Sequence, residues 1–200
     1  GGQGWIAGSA QSQVLGAGEL PKIGHGSPRR PERIGEPKSS AIISPCGTYR
    51  YRLDRDGPGE GATAIIMVNP STADAVENDA TIRKLKGFGE RYQWGRIIVG
   101  NVFAYRATDV RELATAADPY GPDNGYRLCE IFLDAERLVF AWGPVSKLPK
   151  RLRTKWREVY HLALSMHLEP QSIGKPAKDG HPCHPLMLPY DTPMRPWNFV

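Results

Sequence analysis

The chain has 200 residues, with 26 Lys and Arg against 21 Asp and Glu, and a formal net charge of +5. This length fits one domain, or one domain with a tail, and is enough to bury a core without disulfide support. The three cysteines, odd in number and far apart, make a disulfide framework unlikely and are too few for a four-cysteine iron–sulfur centre. No run approaches the ~18–20 apolar residues of a membrane span. The cysteine usage favours a reducing cytoplasm, and residues 1–5 lack the features of a secretory signal, so we expect a cytoplasmic protein without a membrane partner.

The first 40 residues differ in composition from the rest of the chain. They contain nine Gly and four Pro, with sparse apolar residues and a net charge of +2, which leaves +3 for residues 41–200. Such a segment buries too little apolar surface to offset its ordering entropy. We expect residues 1–40 to form a flexible basic arm, either without a role or touching DNA, and residues 41–200 to form the folded domain.

Strand and helix patterns alternate through the folded part. Alternating or continuous apolar runs predict four strands, at residues 49–53, 64–68, 96–100 and 138–142. Apolar residues at helical spacing predict three helices, the first beginning after Ser71-Thr72, the second after Pro122-Asp123 and the third after Pro149. This order predicts an α/β fold in which helices cover both faces of a mainly parallel sheet.

Ligands of such sheets bind outside the carboxyl ends of the strands. Two buried runs end in asparagine, at Asn69 and Asn101, and a third ends at Trp142-Gly143. An asparagine amide can both donate and accept, so it can hold a water or read the edge of a base, although it also often ends a strand or caps a helix. A His-Pro segment at residues 180–189 adds a further candidate.

Four short motifs resemble those of the uracil-DNA glycosylase superfamily and occur in the same order. They are Met67-Val68-Asn69-Pro70-Ser71, Ile98-Val99-Gly100-Asn101, Phe140-Ala141-Trp142-Gly143 and His184-Pro185-Leu186. More closely, residues 41–197 resemble a bacterial domain family of unknown function. The segments that carry this second resemblance are Ser44-Pro45-Cys46-Gly47, Asn69 to Asp74, Asn101 to Thr108, Ala141 to Gly143 and Gly180 to Leu186.

The resemblance implies a three-layer α/β/α sandwich of the uracil-DNA glycosylase type and a hydrolase that excises a base flipped out of DNA, without a cofactor. It implies that Asn69 orients the water, His184 donates to the leaving base and Asn101 reads the base edge. The resemblance also implies that neighbouring motif residues contact the substrate. These are Pro70, Ser71, Phe103, Tyr105, Arg106 and Trp142. Phe103 is as readily a core residue as a stacking platform.

Two positions depart from the glycosylase motifs. Val68 replaces the usual glycine before the first motif, and Leu186 replaces the serine of the second. That serine normally helps to hold the DNA backbone. A different lesion or a modified base, including phage-type hypermodified cytosine, is therefore as good a candidate substrate as uracil.

Carboxylates near Asn69 could supply the general base that an amide cannot be. We take Asp74 as the catalytic candidate, with Asp79 nearby, although Asp74 also fits a favourable place in the first turn of a helix. Arg106 could hold a phosphate or pair with one of these carboxylates.

Six cations fall within eleven residues after the fourth predicted strand. A solvated helix face and a phosphate-contacting surface both explain such a cluster. The DNA-binding candidates are Lys147, Lys150, Arg151, Arg153, Lys155 and Arg157.

Other chemistries lack their sequence signals. The His181–His184 segment has no second cluster at zinc spacing, so we expect no metal, and no phosphate-binding glycine loop or serine nucleophile elbow is present. The favoured function is a monomeric DNA glycosylase that leaves an abasic site. The alternatives are a non-catalytic nucleotide or nucleic-acid binding module and a hydrolase of free nucleosides or nucleotides.

Overall fold

A computed structural model describes residues 39–199, which form one mixed α/β domain with a seven-stranded sheet. The expected arm at residues 1–40 lies outside the described residues, except for Ser39 and Ser40, the first residues of β1. The strands are β1 (Ser39–Ile43), β2 (Arg50–Asp56), β3 (Glu60–Met67), β4 (Trp94–Asn101), β5 (Arg137–Phe140), β6 (Pro170–Ile173) and β7 (Met194–Pro196).

The centre of the sheet is parallel and its flanks are antiparallel. The strand order is β1-β2-β4-β3-β5-β6-β7. Within it, β3 pairs in parallel with β4 and β5, and β5 pairs in parallel with β6. The pairs β1·β2, β2·β4 and β6·β7 are antiparallel. The predicted parallel sheet is therefore confirmed for its four central strands, whereas the described sheet as a whole is mixed.

Helices cover both faces of this sheet. They are α1 (Ala80–Tyr92), α2 (Asn124–Asp134) and α3 (Trp156–Ser165). Successive side chains of a strand point to opposite faces. On β3, Ile65 and Met67 pack in a core that includes residues of α1, whereas Ala64 and Ile66 pack in a second core that includes residues of α2 and α3. The continuous apolar run of β3 follows from this double burial.

The first helix begins later than the sequence pattern predicts. The carboxylate of Asp79 accepts a hydrogen bond from Ile82 N–H at 2.8 Å and caps α1. The Arg55 guanidinium donates to the carbonyls of Asp74 and Glu77, which keeps the preceding segment irregular. The prediction that α1 starts just after Ser71-Thr72 is therefore wrong.

The third helix is also shorter than its apolar pattern. A 3-10 turn at Lys150–Leu152 precedes α3, which starts at Trp156. Strands β1, β6 and β7 were not predicted, because they are short and lack a continuous apolar run. Within residues 39–199, none of the helices has both the length and the apolar character needed to cross a membrane.

Candidate functional site

The carboxyl ends of β3, β4 and β5 meet at one edge of the sheet. Just beyond β4, Val102 N–H donates to Met67 O and Phe103 N–H donates to Val68 O, both at 2.9 Å. On the other side, Ala141 N–H donates to Ile66 O at 2.9 Å. The segments that follow β4 and β5 therefore flank the one that follows β3, as expected for parallel strands.

Asn69 joins two of these segments through its side chain. Its Nδ2 donates to Ala107 O at 2.7 Å and to Pro70 O at 3.1 Å. Ala107 N–H in turn donates to Pro70 O at 2.9 Å. Because both amide hydrogens are used, Oδ1 is the atom with which Asn69 can accept a hydrogen bond from a ligand or water.

Asn101 is buried and its side-chain amide is unsatisfied. The residue is 1% exposed, and neither Nδ2 nor Oδ1 has a hydrogen-bond partner within the described part of the chain. Strand alternation places it on the face of Ile97 and Val99, which is the face covered by α1. Since buried polar groups are nearly always paired, this amide requires an explanation such as a ligand.

The backbone around Asn101 is held by a second asparagine, Asn124. Asn124 Nδ2 donates to the carbonyls of Asn101 at 3.1 Å and Val102 at 3.2 Å. The end of β4 is therefore fixed by the first residue of α2. Asn124 was not predicted as a site residue, because an asparagine at a helix start is ordinarily interpreted as a cap.

His184 reaches the same edge from the C-terminal part of the chain. Gly143, which follows β5, lies against it so closely that a Cβ at Gly143 would stand 3.2 Å from His184 Cβ, and its φ of +78° also favours glycine. Burial lowers the pKa of His184, and the Lys147 charge lowers it further, whereas Asp79 opposes the shift. Its Nδ1 accepts from Leu186 N–H at 3.4 Å, so the neutral ring carries its proton on Nε2.

An aromatic cluster anchors the loop that carries His184. Trp142 Nε1 donates to His181 Nδ1 at 3.3 Å, and Trp197 Nε1 donates to Gly180 O at 3.1 Å. Burial is also the main cause of a lowered pKa at His181. Trp142 is 4% exposed and packs against Trp156, so its position is that of a core residue that orients the loop rather than a surface that meets substrate.

The two carboxylates differ in their surroundings. Asp74 Oδ1 accepts from Val76 N–H and Glu77 N–H, both at 2.8 Å, and these bonds hold its pKa below the usual value. Asp74 therefore stabilises a turn six residues before α1. It does not lie in the first turn of that helix, and its carboxylate already accepts two hydrogen bonds, which a general base would not be expected to do. Asp79 caps α1, and its charge acts on both His184 and Arg50.

The remaining motif residues divide between core and surface. Phe103 is 1% exposed and lies in the core shared with α2 and α3. It is therefore a core residue, the alternative given above to a platform on which a base stacks. Tyr105 is half-buried and meets Tyr49 edge to face, with ring centroids 6.2 Å apart. Pro70 is buried, with its carbonyl engaged as described above, and Ser71 is partly exposed.

Two arginines near Asn69 have few partners. Arg50, which was not among the predicted site residues, is 3% exposed and donates from Nη1 to Ala73 O at 2.6 Å. Arg106 donates from Nη1 to Gly47 O at 3.2 Å. The Nε atoms of both are buried and have no partner among the residues that the structure describes.

The six cations after β5 do not share one helix face. Only Arg157 lies within α3, and the others lie in two 3-10 turns and the residues around them. Arg151 and Arg153 donate to main-chain carbonyls, and Lys155 pairs with Glu158 at 2.6 Å. The predicted DNA surface thus includes side chains that also stabilise the local backbone, whereas Lys147 acts on His184.

The fold and this edge define an α/β domain with a polar cluster at the ends of its parallel strands. Within residues 39–199, no group of three or more His, Cys, Asp and Glu side chains is placed to hold a metal ion. A family model described as a protein of unknown function, DUF1643, matches residues 50–186, and the chain belongs to this family. No curated protein and no solved structure matched the chain.

Proposed function

We propose that this protein is a DNA glycosylase that hydrolyses the N-glycosidic bond of a damaged or modified base flipped out of DNA, leaving an abasic site. The observation that carries the proposal is the buried Asn101 amide, whose donor and acceptor both lack a partner in the described structure. A base edge that offers an acceptor beside a donor would satisfy both atoms. A glycosylase pocket reads its flipped base through such contacts.

Asn69 and His184 would act on opposite parts of the reacting nucleotide. Breaking the bond builds positive charge on the sugar and negative charge on the departing base, as in glycoside hydrolysis. Asn69 Oδ1 would accept a hydrogen bond from the attacking water, because its Nδ2 is committed to carbonyls. His184, neutral and protonated on Nε2, would donate to the base as its negative charge develops.

The architecture of the sheet also supports the glycosylase proposal. Helices on both faces of a parallel strand core, with the motif residues at the carboxyl ends, agree with the uracil-DNA glycosylase-like sandwich that the motifs imply. The enzyme would act as a monomer on DNA in the cytoplasm, without a cofactor, either in genome repair or against modified foreign DNA. Replacement of the second-motif serine by Leu186 favours a base other than uracil.

The binding-module alternative keeps the same pocket without the chemistry. One observation supports this alternative. The carboxylate of Asp74, the predicted general base, already accepts two backbone hydrogen bonds within a turn. A hydrolase of free nucleosides or nucleotides would use the same three residues on a smaller substrate. The product formed distinguishes these functions.

The test is formation of abasic sites in defined DNA. Duplex and single-stranded oligonucleotides would carry uracil, other deaminated bases, alkylated bases or hypermodified cytosines. We expect alkali-labile breaks at one class of base with the wild-type protein, and their loss in Asn69→Ala and His184→Ala. His161→Ala, which removes an exposed histidine on α3, is the matched control and should keep full activity.

Each alternative gives a different result. Saturable binding of DNA without breaks on any substrate would support the binding module and reject the glycosylase. Release of free base from nucleosides, but not from DNA, would support the third function.

A further inference from the structure

Buried arginines on one strand differ in how completely they are paired. Arg52 forms ion pairs with Asp54 at 2.9 Å and Asp134 at 2.8 Å. Arg55 donates to four oxygens, three of them carbonyls and one the Asn78 amide. Arg50, on the same strand, makes one side-chain hydrogen bond to another described residue, donating to Ala73 O. A guanidinium has five donors, so Arg50 is the exception on β2.

The neighbour of Arg50 makes its position more costly. Burial lowers the pKa of Arg50 to about 10; the charges of Asp79 and Asp74 oppose this shift, and the Arg106 charge adds to it. Within residues 39–199, neither arginine has a carboxylate at ion-pair distance, and each has one side-chain bond, to a carbonyl. Buried charges are ordinarily paired, so the buried Arg50 and the half-buried Arg106, whose enclosed Nε atoms lack a partner, call for an anion at closer range than Asp74 and Asp79.

The two arginines adjoin the segments that carry the candidate site. Arg50 N–H donates to Ala104 O at 2.9 Å, three residues past Asn101, and its guanidinium holds Ala73 in the segment that begins at Asn69. Arg106 precedes Ala107, the residue whose carbonyl accepts from Asn69. An anion at the arginines would therefore lie against the segments that follow Asn69 and Asn101.

We propose that Arg50 and Arg106 form a binding site for a phosphate group. Guanidinium groups match phosphate oxygens in charge and in donor geometry, and a phosphate would give Arg50 what Arg52 receives from its two carboxylates. The phosphate belongs to the nucleotide whose base meets Asn101, a link that rests on the proposed function. Its source is either the DNA backbone or the monoester of a free nucleotide.

Calorimetric titration with three probes tests this site. The probes are inorganic phosphate, deoxycytidine 5′-monophosphate and single-stranded oligodeoxycytidylate, all at one ionic strength. We expect saturable binding by the wild-type protein and affinity at least about tenfold lower in Arg50→Gln and in Arg106→Gln, with Arg106→Lys retaining part of it. Circular dichroism would establish that each variant is folded, and Arg106→Gln decides the outcome if Arg50→Gln does not fold.

Arg91→Gln is the matched control. It removes the same charge at the last turn of α1, about 17 Å from the helix start at 1.5 Å per residue. Its affinity for each probe should equal that of the wild type.

The probes also separate the two sources of phosphate. Arginine-dependent binding of the oligonucleotide, with the mononucleotide no tighter than inorganic phosphate, assigns the site to the DNA backbone. Arginine-dependent binding of the mononucleotide alone assigns it to a free nucleotide.

Absence of saturable binding for every probe, or equal affinity in Arg50→Gln, Arg106→Gln and wild type, would overturn the phosphate site. No base excision is needed for this measurement. A protein that binds phosphate through both arginines but releases no base would therefore refute only the glycosylase proposal.

Discussion

Asn124 fixes the main chain of Asn101, through a hydrogen bond of 3.1 Å from its amide to the Asn101 carbonyl. The Asn101 side chain has no such partner in the described part of the molecule. Asn124 therefore stabilises the end of β4 through its Nδ2, although its Oδ1 is also unpaired, whereas neither polar side-chain atom of Asn101 has a partner in the described structure. We therefore expect Asn124 to contribute mainly to stability and Asn101 mainly to recognition.

Replacing Asn101 by leucine should stabilise the protein and weaken its binding of DNA. A buried polar group without a partner costs about 1–3 kcal/mol, so Asn101→Leu should raise the free energy of unfolding by about 1 kcal/mol or more. Binding of the cognate DNA should weaken at least about tenfold. Urea denaturation and DNA titration of the same preparation measure both quantities.

Asn124→Leu is the counterpart. It leaves two buried carbonyls without their donor, so the free energy of unfolding should fall by about 1–3 kcal/mol. If Asn101→Leu destabilises the protein as much as Asn124→Leu does, the Asn101 amide has a structural partner and the account of the pocket is wrong.

The sequence predicted the strands of this edge better than the contacts around it. Continuous apolar runs located β3, β4 and β5, and the asparagines at their ends were visible as polar residues after buried ones. Arg50 was not visible, because an arginine in an alternating strand reads as solvent-exposed, whereas burial and pairing depend on contacts distant in sequence. The start of α1 was misplaced for a similar reason, since Arg55 holds the preceding segment from another strand.

Histidine titration should make stability depend on pH below neutrality. Burial lowers the folded-state pKa of His184 and His181 below 6.5, so above that pH both are neutral in the folded and unfolded states. As the pH falls through 6.5 the unfolded chain binds protons first, and stability is lost until the folded-state pKa values are passed. The free energy of unfolding should therefore fall by up to about 1.4 kcal/mol per pH unit for each proton.

Denaturant titrations from neutral to mildly acidic pH would measure this slope. His184→Gln and His181→Gln should each make the dependence of the free energy of unfolding on pH less steep. An unchanged slope in His184→Gln would contradict the burial of that ring.

Cys46 should react at neutral pH. Hydrogen bonds from Ser44 and Thr48 stabilise its thiolate and lower its pKa to about 7, whereas burial raises the pKa of Cys183. Alkylation by iodoacetamide, mapped by mass spectrometry, should show a midpoint near pH 7 at Cys46 and slower reaction at Cys183. Ser44→Ala should move the Cys46 midpoint upward; a midpoint near 9 in the wild type would show that these hydrogen bonds do not form in solution.

Lys147 should contribute to DNA affinity through a phosphate. Its charge faces the candidate site, where it lowers the pKa of His184. Lys147→Gln should reduce the slope of log affinity against log salt by about 0.7 for single-stranded DNA or 0.9 for duplex. Arg153→Gln is the comparison, because Arg153 donates to the carbonyls of Leu148 and Ser146 and its loss should act mainly on stability. Equal slopes in Lys147→Gln and wild type would exclude this contact.

The most direct test of the account is detection of the released base. Modified DNA would be incubated with the protein in water enriched in ¹⁸O, and the products analysed by mass spectrometry. We predict the intact free base, an unbroken strand with ¹⁸O on the sugar at the abasic position, and neither product with Asn69→Ala. DNA that is bound but releases no base, whatever its modification, would contradict the account.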